Sequence, residues 1–227
     1  MAEKTQKCIV VAIDGPAGAG KSTIAKGLAA RLGFTYIDTG AMYRAVGWKA
    51  LHEGLDLDEE AAVADLARRA TIQIENGVVS IDGVDVTRAI RTPEIDRAAT
   101  RVARLPHVRQ VLVAQQRAFA AAGGVVMEGR DIGTVVCRDA DVKIYLDASA
   151  EERARRRTND PAHTGAGTSQ AAVAEAIAAR DRSDQTRPVS PLSIADDAIV
   201  IDTTTMSADQ VVEQVLAIVK GRLARQP

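Results

Sequence analysis

Short, continuous apolar runs punctuate the chain, and between them apolar residues recur at three- and four-residue intervals. Residues 8–13 (CIVVAI), 35–37, 125–127, 142–146 and 198–201 are such runs and predict buried strands. A strand with no polar face is covered on both sides, so the pattern predicts an α/β fold with a parallel five-stranded sheet between helices. Helix starts are marked locally. Ser149 with Glu152 and Ser207 with Gln210 have the spacing of a capping box, and Thr92-Pro93 puts proline at a first helical position. One stretch breaks the alternation. Residues 72–87 carry Asn76-Gly77 and Asp82-Gly83 between β-prone segments, which predicts a small three-stranded antiparallel insert. Residues 158–169 (TNDPAHTGAGTS) read as a mobile loop.

Composition narrows the classes. With 227 residues, 46% hydrophobic and 26% charged, the chain suits one core with a small insert. A net charge of −1 argues against a general nucleic-acid or membrane-surface binder. Cys8 and Cys137 lack metal-ligand spacing and read as small packing residues, which favours a reducing compartment. No signal peptide and no apolar span long enough for a membrane is seen, so a cytoplasmic protein is expected. No extra apolar helix calls for a partner, and a monomer is the default.

The most informative motif follows the first strand. Gly15-Pro16-Ala17-Gly18-Ala19-Gly20-Lys21-Ser22 matches G-x-x-x-x-G-K-[ST] and opens the helical run STIAKGLAARLG. Glycines let the backbone fold until successive N–H groups point at phosphate oxygens, and the helix N-terminus adds partial positive charge. Lys21 suits the β- and γ-phosphates. The Ser22 hydroxyl suits Mg²⁺, with Thr23 as support. This is a nucleoside-triphosphate site.

Other residues separate the P-loop classes. The chain has no Asn-Lys-x-Asp motif of a GTPase. VKIYLD, ending at Asp147, superficially fits a motor ATPase but runs directly into EERARRRTNDP. There Arg153 and Arg157, four apart, share a helix face beside the mobile loop. A kinase must neutralise charge spread over several phosphate oxygens and exclude water, and arginines on a closing lid do both. The alternative is a solvated helix face balanced by Glu151 and Glu152.

With these parts in place, the sequence resembles the bacterial cytidylate kinases of the nucleoside-monophosphate kinase group. IDGPAGAGKST, DTGAMYRA (38–45), IRTPEI (90–95), EGRDIGTVV (128–136), VKIYLDASAEERARRR (142–157) and RDRSD (180–184) carry the resemblance. It implies a P-loop kinase three-layer fold and transfer of phosphate from ATP, with Mg²⁺, to CMP or dCMP. It also implies a core (1–38, 104–152, 188–227), a monophosphate-binding part (about 39–103) and a lid (about 153–187). The acceptor-site residues it implies are Thr39, Arg44, Thr100, Arg109, Arg130, Asp131, Arg180, Asp184 and Arg187. Lys21, Arg153, Arg157 and Arg187 are the expected catalytic residues.

Chemistry supports the transfer. Cytosine offers a donor at N4 and acceptors at N3 and O2, which Asp131, Arg109 and Thr100 complement. Uracil would set lone pairs against Asp131. Arg44, Arg130 and Arg187 form the expected phosphate clamp, and Asp184, oriented by Arg180, the sugar contact. Gly129 and Gly133 are expected to let the backbone approach substrate. Glu128 is open between orienting Arg130 and holding the metal's water shell, and Asp38 between metal-bound water and a strand-end hydrogen bond. His52, His107 and His163 read as surface or packing residues, and Trp48 as core. Two other functions stay open: another small P-loop kinase, for a different monophosphate or a shikimate-like metabolite, and an ATP-binding regulator.

Overall fold

A computed structural model of the chain describes residues 9–75, 77–160 and 169–224. Five parallel strands form the central sheet: β1 (Val10–Asp14), β2 (Thr35–Asp38), β6 (Val125–Glu128), β7 (Val142–Asp147) and β8 (Ile199–Asp202). Their order is β2-β6-β1-β7-β8; the apolar runs predict the strands, but β8 is an edge strand that leaves Ile199 and Val200 exposed rather than buried. Each strand extends one residue beyond its predicted end to finish on a carboxylate: Asp14, Asp38, Glu128, Asp147 or Asp202. The apolar run stops there, but backbone pairing does not, as the partners Asp38–Glu128 and Asp147–Asp202 show. The carboxyl edge, where ligands of open α/β sheets bind, is therefore lined with acids.

Alternate side chains of the buried strands feed two cores. Val11, Ile13, Val126, Ile144 and Leu146 pack against α1 (Lys21–Leu32) and α8 (Ala208–Leu223). On the opposite face, Ala12, Ile37, Val125 and Met127 meet α2 (Thr39–His52), α3 (Glu60–Arg69), α4 (Pro93–Val102) and α5 (Pro106–Ala121). Trp48 packs at the rim of this core and stacks on the exposed His52, their ring centroids 4.2 Å apart.

The antiparallel insert forms as predicted from β3 (Ile72–Glu75), β4 (Val78–Ile81) and β5 (Val84–Asp85). Thr92 caps α4 through its side chain with Pro93 in the first turn, and Ser207 makes a full capping box with Gln210. Only half of the other box forms. Ser149 caps α6 (Ala150–Thr158), but Glu152 turns away to Arg155 and Arg156, where two guanidinium partners outweigh one backbone N–H. α6 packs against α7 (Gln170–Thr186). Most of the loop between them, with His163, lies outside the described residues, as does Cys8. Cys137 is half-buried, and burial pushes its thiol up to about 11.

Candidate active site

Between β1 and α1 the glycine-rich segment folds as its motif requires. Gly15 has φ 150°, and a Cβ there would collide with the Leu146 carbonyl. Gly18 has φ 78°, and its Cβ would lie 2.9 Å from the Arg153 carbonyl oxygen, so the first turns of α6 sit against the loop. Ala17, Ala154 and Ile177 form a small apolar cluster beneath that contact. Lys21 is buried, and its Nζ donates to the Pro16 carbonyl at 2.6 Å. Burial, then Arg130 and Arg180, hold its pKa well below the usual lysine value against the pull of Glu128 and Asp14. An ammonium in that position is short of negative charge. Thr23 is exposed.

Glu128 ends β6 beneath this loop. Its carboxylate accepts from the Tyr36 hydroxyl and faces the Ser22 hydroxyl, and burial, then Asp38, raise its pKa. Thr39 donates to the Glu128 carbonyl at 2.7 Å. The acid thus faces the P-loop. Arg130 takes its orientation from Asp184 instead, through Nε at 2.8 Å. The expected orienting of Asp184 by Arg180 does not occur; the geometry gives that task to Arg130, because Arg180 reaches across to Asp96.

Carboxylates divide the arginines into groups. Asp38 caps α2 through Ala41 and accepts from Arg44 at 2.8 Å and Arg91 at 3.0 Å. Burial would raise its pKa, but Arg44 and Arg91 together bring it down to about 2. Asp38 thus makes the hydrogen bonds of a strand-end residue, with both its oxygens engaged. Asp96 on α4 pairs with Arg157 from α6 and Arg180 from α7, and its carbonyl accepts from Thr100 at 2.8 Å. Asp181 on α7 pairs with Arg153 and accepts the Ala17 amide at 3.0 Å, and Arg153 also donates to the Ala17 carbonyl at 2.9 Å. Arg155 faces solvent with Glu152, the bland alternative for this helix, whereas Arg156 ties α6 to Thr203 after β8.

A third group lies deeper. Arg109 is only 2% exposed, and Asp131 is held between it and Arg187. Arg187 therefore pairs with Asp131, whereas Arg44 pairs with Asp38 and Arg130 with Asp184. Arg109 lies over the Tyr43 ring, 5.5 Å from its centroid. Arg109 Nε and Nη1 are buried without a hydrogen-bond partner among the described residues, and the Tyr43 hydroxyl lies against the Gln116 side chain. Buried polar groups are rarely left unpaired, so these two Arg109 donors are candidates to meet acceptors on a ligand.

Sequence reasoning missed Asp14, Arg91, Asp96 and Asp181, and left Tyr43, Gln116 and Arg156 without a role. Asp14 had one signal, its place between an apolar run and the P-loop; helical acids such as Asp96 and Asp181 had none. The two glycines of EGRDIG serve the protein's own packing. A Cβ at Gly129 would lie 2.7 Å from Thr39 Oγ1, and one at Gly133 would lie 3.1 Å from Lys143 Cδ.

Comparison with known proteins places the chain in a family. The family model described as cytidylate kinase matches residues 11–221. The chain is 51% identical to the cytidylate kinase of Solibacter usitatus (strain Ellin6076), covering 98% of this chain and 97% of that one. It is 50% identical to the cytidylate kinase of Desulfitobacterium hafniense (strain Y51), covering 96% and 95%. Among solved structures, shikimate kinase from Acinetobacter baumannii in complex with shikimate aligns over 97% of this chain and 98% of its own, with a TM-score of 0.50 and 13% identity. A gluconokinase from Sinorhizobium meliloti 1021 aligns over 96% and 93%, with a TM-score of 0.50 and 14% identity. At such identity the likeness concerns the fold, that of the P-loop kinases. A family match across most of the chain, with half of all positions shared with full-length relatives, makes this chain a member of the cytidylate kinase family.

Proposed function

We propose that the protein transfers the γ-phosphoryl group of ATP to CMP and dCMP, giving ADP with CDP or dCDP. The observation that carries the choice of acceptor is the buried Asp131 carboxylate fixed between Arg109 and Arg187, with two Arg109 donors unpaired. Asp131 accepts from cytosine N4, and Arg109 donates to N3 and O2. Thr100 lies on the same helix as Asp96 and completes the acceptor side.

The phosphates fall to the cations nearer the P-loop. Residues 15–23 cradle the triphosphate, with Lys21 at its β- and γ-phosphates. Arg44, Arg130, Arg157 and Arg180 neutralise the acceptor and transferring groups, and Arg153 holds the lid against Ala17. Thr39 secures the Glu128 backbone, and Asp184, with Arg130, faces the sugar. The acceptor phosphate oxygen is already anionic, so it displaces ADP at the γ-phosphorus without a general base. Ser22, beside the Glu128 carboxylate, supplies the oxygen donors that suit Mg²⁺. A Mg²⁺ ion held there would supply positive charge to neutralise the phosphate oxygens. Among the described residues no cluster of three or more His, Cys, Asp or Glu is arranged as an all-protein metal site. The lid is assigned to about 153–187 and the monophosphate-binding part to about 39–103. Among the described residues no helix is long and apolar enough to cross a membrane.

ADP release from ATP and Mg²⁺ with CMP, dCMP, UMP, AMP, GMP or dTMP tests this reading. CMP and dCMP are expected to accelerate release well above background hydrolysis, and the purines not to. No acceleration by either cytosine nucleotide would sink it.

The lid pairs give a further prediction. Asp96 engages both Arg157 and Arg180, so an incoming acceptor must displace it. Asp96→Asn is expected to lower the KM for CMP about two- to fivefold, the size of a partly exposed ion pair. A raised KM would show that Asp96 organises these arginines rather than competing for them.

A further inference from the structure

We infer that Asp14 is a positioning residue for acceptor recognition: it caps the turn after Asp131, leaving the Asp131 carboxylate free to face the base. Asp131 is the N-cap residue of a five-residue π-helical segment, Ile132–Val136, yet its side chain makes no capping bond there. An aspartate at that position ordinarily folds back onto the first free amides. Here the first two amides of the segment, at Ile132 and Gly133, are taken by Asp14, 118 and 119 positions away in sequence. Ile132 N and Gly133 N donate to the two Asp14 oxygens at 2.8 and 2.7 Å. Asp131 is thereby released to Arg109 and Arg187.

The arrangement joins two halves of the reaction. Asp14 ends β1 immediately before Gly15, so the strand that feeds the triphosphate loop also fixes the acceptor loop. Gly133 leaves room for the contact, since its Cβ would lie 3.4 Å from Asp14 Oδ2 as well as against Lys143. Burial, opposed by the two amides, pushes Asp14 up to about 6. A carboxylate so costly to ionise is a poor choice for stability alone. The titratable groups that bear on it are Asp131, Lys21, Tyr145 and Cys137. Tyr145 and Cys137 are both shifted upward, away from neutral pH.

This inference rests on the proposed contact of Asp131 with cytosine, and the test separates the two. Specificity is measured as the ratio of kcat/KM for CMP to that for UMP, in wild type, Asp14→Asn and Asp131→Asn. In Asp14→Asn the new side-chain amide offers one acceptor where two are needed and sets its NH₂ against a backbone N–H. The ratio is expected to fall at least tenfold in Asp14→Asn, through KM for the acceptor, with KM for ATP within about twofold of wild type. A lower yield of active protein with an unchanged ratio would mean that Asp14 is only structural, and the inference fails. If Asp131→Asn itself leaves the ratio unchanged, the reading of Asp131 fails instead, and this inference with it. Should Asp14→Asn not fold, the wild-type ratio decides. It is expected to fall between pH 7.5 and pH 5.5 as Asp14 gains a proton, with the phosphate titration common to both acceptors cancelling. A flat ratio overturns the inference.

Discussion

Lys21→Ala is expected to lower kcat about 10²–10³-fold at saturating CMP, the cost of removing one preorganised charge from a transition state. Phosphoryl transfer depends almost wholly on positioning and charge neutralisation, and no other lysine stands in the cradle. The loss should not come from unfolding. The folded-state pKa of Lys21 lies below its unfolded value, chiefly through burial, so the charged ammonium opposes folding at neutral pH. The nucleotide-free Tm is therefore expected not to fall, while the rise in Tm on adding ATP shrinks. Near-normal turnover would mean that the cradle has been misread, and a lowered nucleotide-free Tm would contradict the electrostatic account of Lys21.

The second large effect concerns Asp131, and the structure changes how it has to be measured. Asp131 serves two buried arginines, Arg109 and Arg187, both 5% exposed or less. Asp131→Ala leaves both charges without this partner, at a cost of about 3–5 kcal/mol. That is a large share of a total stability of roughly 5–15 kcal/mol. Alanine would thus confuse binding with folding. Asp131→Asn keeps the shape and one acceptor, and is expected to lower kcat/KM for CMP about tenfold to a hundredfold while sparing KM for ATP. An equal rise in both KM values would remove Asp131 from the acceptor site.

Much of the frame was legible in the sequence because it is locally encoded. The apolar runs, the P-loop glycines, the Asn-Gly and Asp-Gly turns and the Thr92-Pro93 cap all act over a few residues. The strand ends were misjudged by one residue each because Asp14, Asp38 and Glu128 are polar yet still pair in the sheet. The site was legible only in part. Arg44 and Arg109 look like ordinary helical surface arginines, and their local pattern cannot reveal that they are buried by α4, β6 and the segment after it. Asp96 and Asp181 acquire partners only when α6 and α7 come down on the P-loop. The assignment of Arg180 to Asp184 failed for the same reason: four residues apart on one helix, they look like natural partners, but each finds a stronger one across the cleft.

The pairing of the site's arginines has a consequence for how the protein meets its surroundings. Arg44, Arg91, Arg109, Arg130, Arg153, Arg157, Arg180 and Arg187 each have a carboxylate on this chain. The cleft therefore behaves like an ion exchanger supplied with its own fixed counterions, in which nucleotide phosphates trade places with aspartates. The exchange is incomplete, because the eight arginines share five aspartates, Asp38, Asp96, Asp131, Asp181 and Asp184. Part of the charge balance is thus exchanged within the protein, so nucleotide affinity is expected to depend on ionic strength less steeply than at a cluster of bare arginines. A single mononucleotide can enter and compete for the guanidinium groups one by one.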